Sequence, residues 1–269
     1  MDEELVVSVL QMSASRTKAE ALEKLKKLVS EARGDIIVMP EYAMVDPTDL
    51  DPETLYKTSE TLDGSWVNTL RNVAREKGSC VIGTLFEKSP EPPRVYNTAV
   101  LIDPNGDVIS VYRKTHLFDI LGYRESEKIL AGEELFEPVE LCGARVGLAI
   151  CFEIRYPELF RLQAEKGVDV FFIPSAWYTG HLKEETYRVL AQARAHENVS
   201  YVIGAILYGE RFTGRSLVVD PYGVVVAEAG IGEKVLEAVL DGRVLMEARS
   251  KLPLLELRRR DLYGLVEKR

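Results

Sequence analysis

Residues 145–174 read RVGLAICFEIRYPELFRLQAEKGVDVFFIP. The opening RVGLAIC and the closing VDVFFIP are apolar runs of strand length, and Pro157 to Lys166 between them has a helical pattern. A strand that is apolar without alternation is covered on both faces, so this unit needs packing partners on either side. Working outward, the same grammar recurs. Leu5 to Gln11 is a strand, and Arg16 to Arg33 carries a helical stripe of Leu22, Leu25, Leu28, Val29 and Ala32 that Gly34 is expected to stop. Asp35 to Pro40 (DIIVMP) is a second fully apolar strand. Trp66, Val67, Leu70, Val73 and Ala74 share one helical face ending at Gly78, and Cys80 to Phe86 is the next strand. Downstream, Leu182 to Asn198 is helical and Tyr201 to Tyr208 is a strand.

Two hairpins interrupt this alternation. Val95 to Asp103 and Asp107 to Tyr112 flank Asp103-Pro104-Asn105-Gly106, and Ser216 to Asp220 and Val224 to Ala227 flank Asp220-Pro221-Tyr222-Gly223. Proline presets φ and glycine accepts positive φ in such turns. The repeated device predicts two half-domains of similar build, each with a mixed sheet. The class is α/β, with two sheets packed together and about four main helices outside. No Pro/Gly/Ser-rich linker divides the chain, so residues 1–269 are expected to form a single domain. A short helix near Asp241 to Ser250 and an extended tail from about residue 252 end it.

Composition narrows the function classes. Apolar residues make up 46% and charged residues 29% of the 269, as in soluble globular proteins and unlike disordered, collagenous or coiled-coil chains. A net charge of −9 argues against nucleic acid as the main partner. The run Arg258-Arg259-Arg260 is read as a tail contact or a solvated face. No apolar run reaches the ~20 residues of a membrane span. The acidic start Met1-Asp2-Glu3-Glu4 is unlike a signal peptide, which predicts a cytoplasmic protein. Three cysteines, an odd number, predict reduced thiols rather than a disulfide framework. His116, His181 and His196 are scattered, and neither HExxH nor paired CxxC occurs, so no metal and no cofactor are expected. Few Asn and Gln beside many Glu, Lys and Arg lean towards a thermophile.

Three residues stand where chemistry is plausible. Cys151 ends one strand at the entry to a helix, a placement that aims a thiol and the following N–H groups at a developing oxyanion. Glu41 follows the apolar strand ending in Pro40, where ligand sites occur in α/β folds, and suits a general base. Lys114 ends a hairpin strand and suits stabilisation of a thiolate and an oxyanion. Cys80 and Cys142 are read as structural, Arg113 as a solvated strand end, and His116 and His196 as structural histidines.

These residues lie in six ordered pieces: Met39-Pro40-Glu41; Tyr112 to Asp119 (YRKTHLFD); Gly147 to Glu158 (GLAICFEIRYPE); Pro174 to Trp177 (PSAW); Ala193 to Asn198 (ARAHEN); and Arg259 to Tyr263 (RRDLY). Together they resemble the nitrilase superfamily of carbon–nitrogen hydrolases across essentially the whole chain. The resemblance implies a four-layer α-β-β-α sandwich and a metal-free, cofactor-free Glu41–Lys114–Cys151 catalytic set with Glu125 beside it. It further implies Lys114 and the Phe152 N–H at the oxyanion, and the Ala176 carbonyl with the Trp177 ring on the leaving-group side. Glu153 stands where relatives often carry Asp.

The substrate implied is a small-molecule amide, converted to carboxylate and ammonia through a cysteine thioester. RRDLY and the CFEIR context resemble the omega-amidase branch, which acts on dicarboxylate monoamides. Arg155 suits a bidentate clamp on a distal carboxylate, or equally an ion pair with Glu153 or Glu158. An N-carbamoyl amide hydrolase, a nitrilase and a catalytically silent scaffold member stay open. The family packs a face and its tail across a dimer, so a homodimer or higher homo-oligomer is expected.

Overall fold

The computed structural model describes residue 1 and residues 4–267; Asp2, Glu3, Lys268 and Arg269, the last two in the expected tail, lie outside the described residues. The elements run β1 Glu4–Gln11, α1 Lys18–Glu31, β2 Ile36–Val38, α2 Pro52–Thr58, α3 Ser65–Lys77, β3 Cys80–Lys88, β4 Val95–Ile102 and β5 Val108–Arg113. They continue β6 Val139–Leu141, β7 Ala144–Leu148, α4 Pro157–Ala164, β8 Val170–Ser175, α5 Lys183–Asn198, β9 Tyr201–Ile206, β10 Leu217–Val219, β11 Val225–Glu228, β12 Lys234–Asp241 and α6 Gly242–Lys251. No helix among the described residues is long and apolar enough to cross a membrane.

Two six-stranded sheets form, ordered β12-β1-β2-β3-β4-β5 and β6-β7-β8-β9-β10-β11. Read in these orders, each sheet pairs its strands antiparallel, parallel, parallel, antiparallel, antiparallel. The halves are topological copies, as the twin DPxG turns suggested. Even the register shifts correspond, at Leu101/Ile102 in one hairpin and Val218/Val219 in the other. Val7, Val9, Ile36, Val38, Ile82 and Leu101 from the first sheet meet Val146, Leu148, Val170 and Ile203 from the second in a shared core. The other face of the first sheet, with Ile37, Met39, Val81 and Val100, is covered by Leu25 and Leu28 of α1 and Trp66 and Leu70 of α3. The result is the expected mixed-sheet sandwich with helices outside.

Several local expectations change. There are six α-helices among the described residues, α2 having gone unpredicted along with β6 and β12. Helix α1 ends at Glu31, before Gly34. Gly34 is there for close approach instead, since a Cβ on it would lie 2.5 Å from the Ser8 nitrogen. Gly78 does cap α3, at φ 63°. Arg113 is not simply solvated, because it pairs with Glu87 at 2.6 and 2.8 Å. The largest correction concerns the thiols. Cys80, opening β3, and Cys142, in the β6–β7 turn, form a disulfide with Cα atoms 6.2 Å apart. An odd count of cysteines says nothing of proximity, and it is the packing of sheet on sheet that brings together two positions 62 residues apart. Cys151 is the free cysteine, and it is buried.

Candidate active site

One rim of the sandwich collects the polar side chains. Glu41 follows β2, Lys114 follows β5, Cys151 follows β7 and Ala176 follows β8. Strands β2 and β5 run the same way, since β5 is two antiparallel steps from β3, the parallel neighbour of β2. Their carboxyl ends therefore share a rim, and β2 and β8 are equivalent strands of the two copies. One bond that spans the sheets is the Ala176 N–H donating to Glu41 Oε2 at 2.8 Å.

The cluster itself is almost sealed from solvent. Glu41 and Lys114 are each 1% exposed and Glu125 is 0% exposed. Lys114 Nζ donates to Glu41 Oε1 at 2.9 Å and to the Glu125 oxygens at 3.0 and 2.9 Å. Burial opposes the ammonium charge of Lys114, but Glu125 and Glu41 outweigh it and hold the lysine protonated well above its ordinary range. Cys151 responds in the opposite sense. Burial first, and then the charge of Glu41, push its thiol well up against the counter-pull of Lys114. The resting sulfur is therefore a thiol that needs a base, and Glu41 is beside it.

Cys151 has φ 48°, a left-handed conformation that few residues with a side chain adopt. It opens a 3-10 turn, Cys151–Arg155, held from within by Glu153. Glu153 accepts from the Ile150 N–H at 2.7 Å, the Tyr112 hydroxyl at 2.8 Å, the Thr115 N–H at 2.9 Å, the Thr115 hydroxyl at 2.8 Å and the His116 N–H at 3.1 Å. Burial would raise its carboxyl, yet donors from His116, Ile150, Thr115 and Tyr112 bring it below the ordinary value. This knot fixes the turn carrying Cys151 to the segment carrying Lys114. His116 is spent here, with Nδ1 2.8 Å from the Thr115 hydroxyl and its ring 4.2 Å from that of Tyr156. His196 lies elsewhere, its Nδ1 3.2 Å from the Tyr222 carbonyl.

A small pocket opens onto Cys151, with Glu41, Lys114, Arg155, Trp177 and Lys183 in its wall. The Arg155 guanidinium lies 4.0 Å from the Trp177 ring centroid and 5.0 Å from that of Phe152. It makes no ion pair with Glu153 or Glu158, and its buried Nη1 has no hydrogen-bond partner. Lys183 Nζ sits 5.3 Å from the same Trp177 ring. Burial lowers the affinity of both cations for their protons, and Arg155 adds to the effect on Lys183. Phe118, Tyr123 and Tyr178 form a cluster of mutually tilted rings, with centroids 5.9–6.1 Å apart.

Sequence reasoning overlooked four polar partners: Tyr42, Asn97, Tyr178 and Lys183. Tyr42, at φ 60°, donates its hydroxyl to Glu125 Oε1 at 3.2 Å. Asn97 is 1% exposed and donates to Glu41 Oε1 at 2.7 Å. Its signal was in view, a polar side chain inside the apolar strand VYNTAVLI. Among the described residues no group of three or more His, Cys, Asp or Glu is placed to hold a metal ion.

With this geometry in hand, comparison with known proteins is direct. Residues 6–249 match the family model for carbon-nitrogen hydrolases. The chain is 31% identical to deaminated glutathione amidase of Escherichia coli O157:H7 over 241 residues, covering 90% of this chain and 91% of that one. It is 33% identical to an omega-amidase of Xenopus laevis over 279 residues, 98% of each chain. Among solved structures, Saccharomyces cerevisiae Nit3, of branch 10 of the nitrilase superfamily, superposes with a TM-score of 0.85 at 28% identity, covering 96% of this chain and 97% of that one. The chain belongs to the carbon-nitrogen hydrolase family, and it is an enzyme of the amidase type.

Proposed function

We propose that this enzyme hydrolyses the primary amide of a short acid whose other end is a carboxylate, releasing ammonia. Glu41 accepts the Cys151 proton as the sulfur attacks the amide carbon, and the carbonyl pair moves onto oxygen. Lys114 has three N–H bonds; one goes to Glu41, and one shared between the two Glu125 oxygens satisfies Glu125. The third is available for the oxyanion, with the Phe152 N–H as second donor. Collapse expels ammonia, which carries off the proton held by Glu41 and leaves the thioester. Glu41 then takes a proton from water as hydroxide adds to the thioester, and the departing sulfur recovers that proton.

The observation that carries the substrate reading is Arg155. Its half-buried guanidinium is stacked on Trp177, with an unpartnered Nη1 and no carboxylate paired to it among the described residues, which suits it to a carboxylate of the substrate. Lys183 adds a second cation to the same wall. A desolvated bidentate carboxylate contact is a strong charge-assisted interaction. Ammonia release from succinate and glutarate monoamides, run beside neutral amides of equal length, carbamoyl compounds and nitriles, tests the proposal. The acidic monoamides are expected to lead. No ammonia from any amide would remove the catalytic reading, and preference for a carbamoyl compound or a nitrile would move it to that class.

The reading extends to assembly and setting. Leu257, Leu262 and Val266 of the tail are 71%, 69% and 83% exposed, which supports a homodimer or higher homo-oligomer, testable by sedimentation. A cytoplasmic location goes with the thermophile reading, because disulfides persist in the cytoplasm chiefly in hyperthermophiles.

A further inference from the structure

We infer that Asn97 is a positioning residue that divides the labour between the two oxygens of Glu41, anchoring Oε1 so that Oε2 is the atom that takes the thiol proton. The inference rests on Glu41 as the base for Cys151 and adds to that reading a residue and an atom.

Asn97 stands on β4, opposite Phe86 of β3. Its backbone carbonyl accepts the N–H of Lys114 at 2.9 Å. Its side-chain amide donates to Glu41 Oε1 at 2.7 Å and reaches Glu125 Oε1 at 3.4 Å. One residue thus sets the backbone of the lysine and the carboxylate of the base. The groups facing this point are Glu41, Glu125, Lys114, the Cys151 thiol and the Tyr42 hydroxyl. Two carboxylates share one ammonium, so with both ionised the cluster carries one uncompensated negative charge away from water.

That imbalance explains why an amide occupies this place. A further cation would neutralise the excess charge and weaken Glu41 as a base. A further carboxylate would add repulsion. A neutral donor satisfies Oε1 and fixes the rotamer without doing either. Lys114 and Asn97 together occupy Oε1, whereas Oε2 meets the single Ala176 N–H across the sheets, an N–H that also faces the Cys151 sulfur. Oε2 keeps lone-pair capacity for a proton, and Oε1 does not.

The test compares Asn97→Leu, Asn97→Ala and Asn97→Ser in the full chain. It reads kcat and KM for an amide, and the rate at which iodoacetamide alkylates Cys151 as a function of pH. In alkylation the sulfur–carbon bond forms, iodide leaves and the thiol proton passes to Glu41, so the rate reports the base without the rest of the cycle. In Asn97→Leu and Asn97→Ala, kcat and the alkylation rate should fall roughly ten- to a hundredfold, while KM moves by less than about threefold. A proton competes better for a carboxylate that has lost a donor, so the acidic limb of both profiles should rise by about one pH unit. Asn97→Ser, which keeps a hydroxyl donor, should lie between these and the wild type. Asn97→Ala carries the test if the leucine overpacks the site. An unmoved limb in the alanine variant, or a pH-independent loss equal in alanine and serine, overturns the inference. Glu41→Gln separates the two levels. If it spares turnover and alkylation, the base reading itself fails; if it abolishes both while the Asn97 variants match wild type, the inference about Asn97 alone fails.

Discussion

At Cys151, a left-handed backbone, burial and a neighbouring carboxylate converge on one sulfur. Cys151→Ala should therefore abolish turnover, while Cys80→Ala and Cys142→Ala keep it, and mass spectrometry of a quenched reaction should find the acyl group on the Cys151 peptide. Retained activity in Cys151→Ala would end the thioester mechanism. Arg155→Lys keeps a charge but loses the fork. It should lower kcat/KM for an acidic monoamide roughly ten- to a hundredfold more than for its neutral analogue. Equal losses on both would mean that Arg155 only braces the loop. Cys151, Glu41 and Lys114 were legible as candidates because each ends a strand whose pattern is plain in the sequence, and as a set only through the resemblance to the nitrilase superfamily. Asn97 and Lys183 were not, because their meaning lies in what faces them across other strands. Of the two alternatives for Arg155, the ion pair with Glu153 or Glu158 does not form, and its Nη1 has no hydrogen-bond partner among the described residues.

At the scale of elements, the 3-10 turn Cys151–Arg155 depends on a single buried carboxylate. Glu153 is held below its ordinary value in the folded chain by its donors. Its contribution to stability is thus present above the ordinary carboxylate range and is lost as pH falls through the folded value. Thermal melts from neutral to acid pH should show this loss. Glu153→Gln should flatten that dependence and cost about 1–3 kcal/mol at neutral pH; an unchanged acid slope would exclude Glu153 as its source. The apolar strands and most helices could be read from periodicity. Edge strand β12 could not, although all eight of its residues pair with β1. It is only partly buried along most of its length, so its sequence lacks the continuous apolar run that marked the inner strands. Helix α2 has seven residues and one buried side chain, too little to print a stripe.

For the whole molecule, twin hairpins announced a duplicated architecture, but nothing in either half taken alone announced where the halves would touch. That contact placed the chemistry on one rim, at the carboxyl ends of β2, β5, β7 and β8, and the Cys80–Cys142 bond at the opposite one, where β3 and β7 begin. Closing a loop of 62 residues is worth about 4 kcal/mol in the chain-entropy account. Reductant should lower the melting temperature of the wild type and leave that of Cys142→Ala where it is; a wild-type melt indifferent to reductant would show that the bond contributes nothing. The same bond changes what a cut means. Ile120 and Leu121, 41% and 77% exposed, lie between its two cysteines and offer a protease an accessible peptide. A chain nicked there stays one covalent object, migrating as two fragments only after reduction, so the enzyme can lose continuity beside its mouth and still keep its two sheets tethered at the far end.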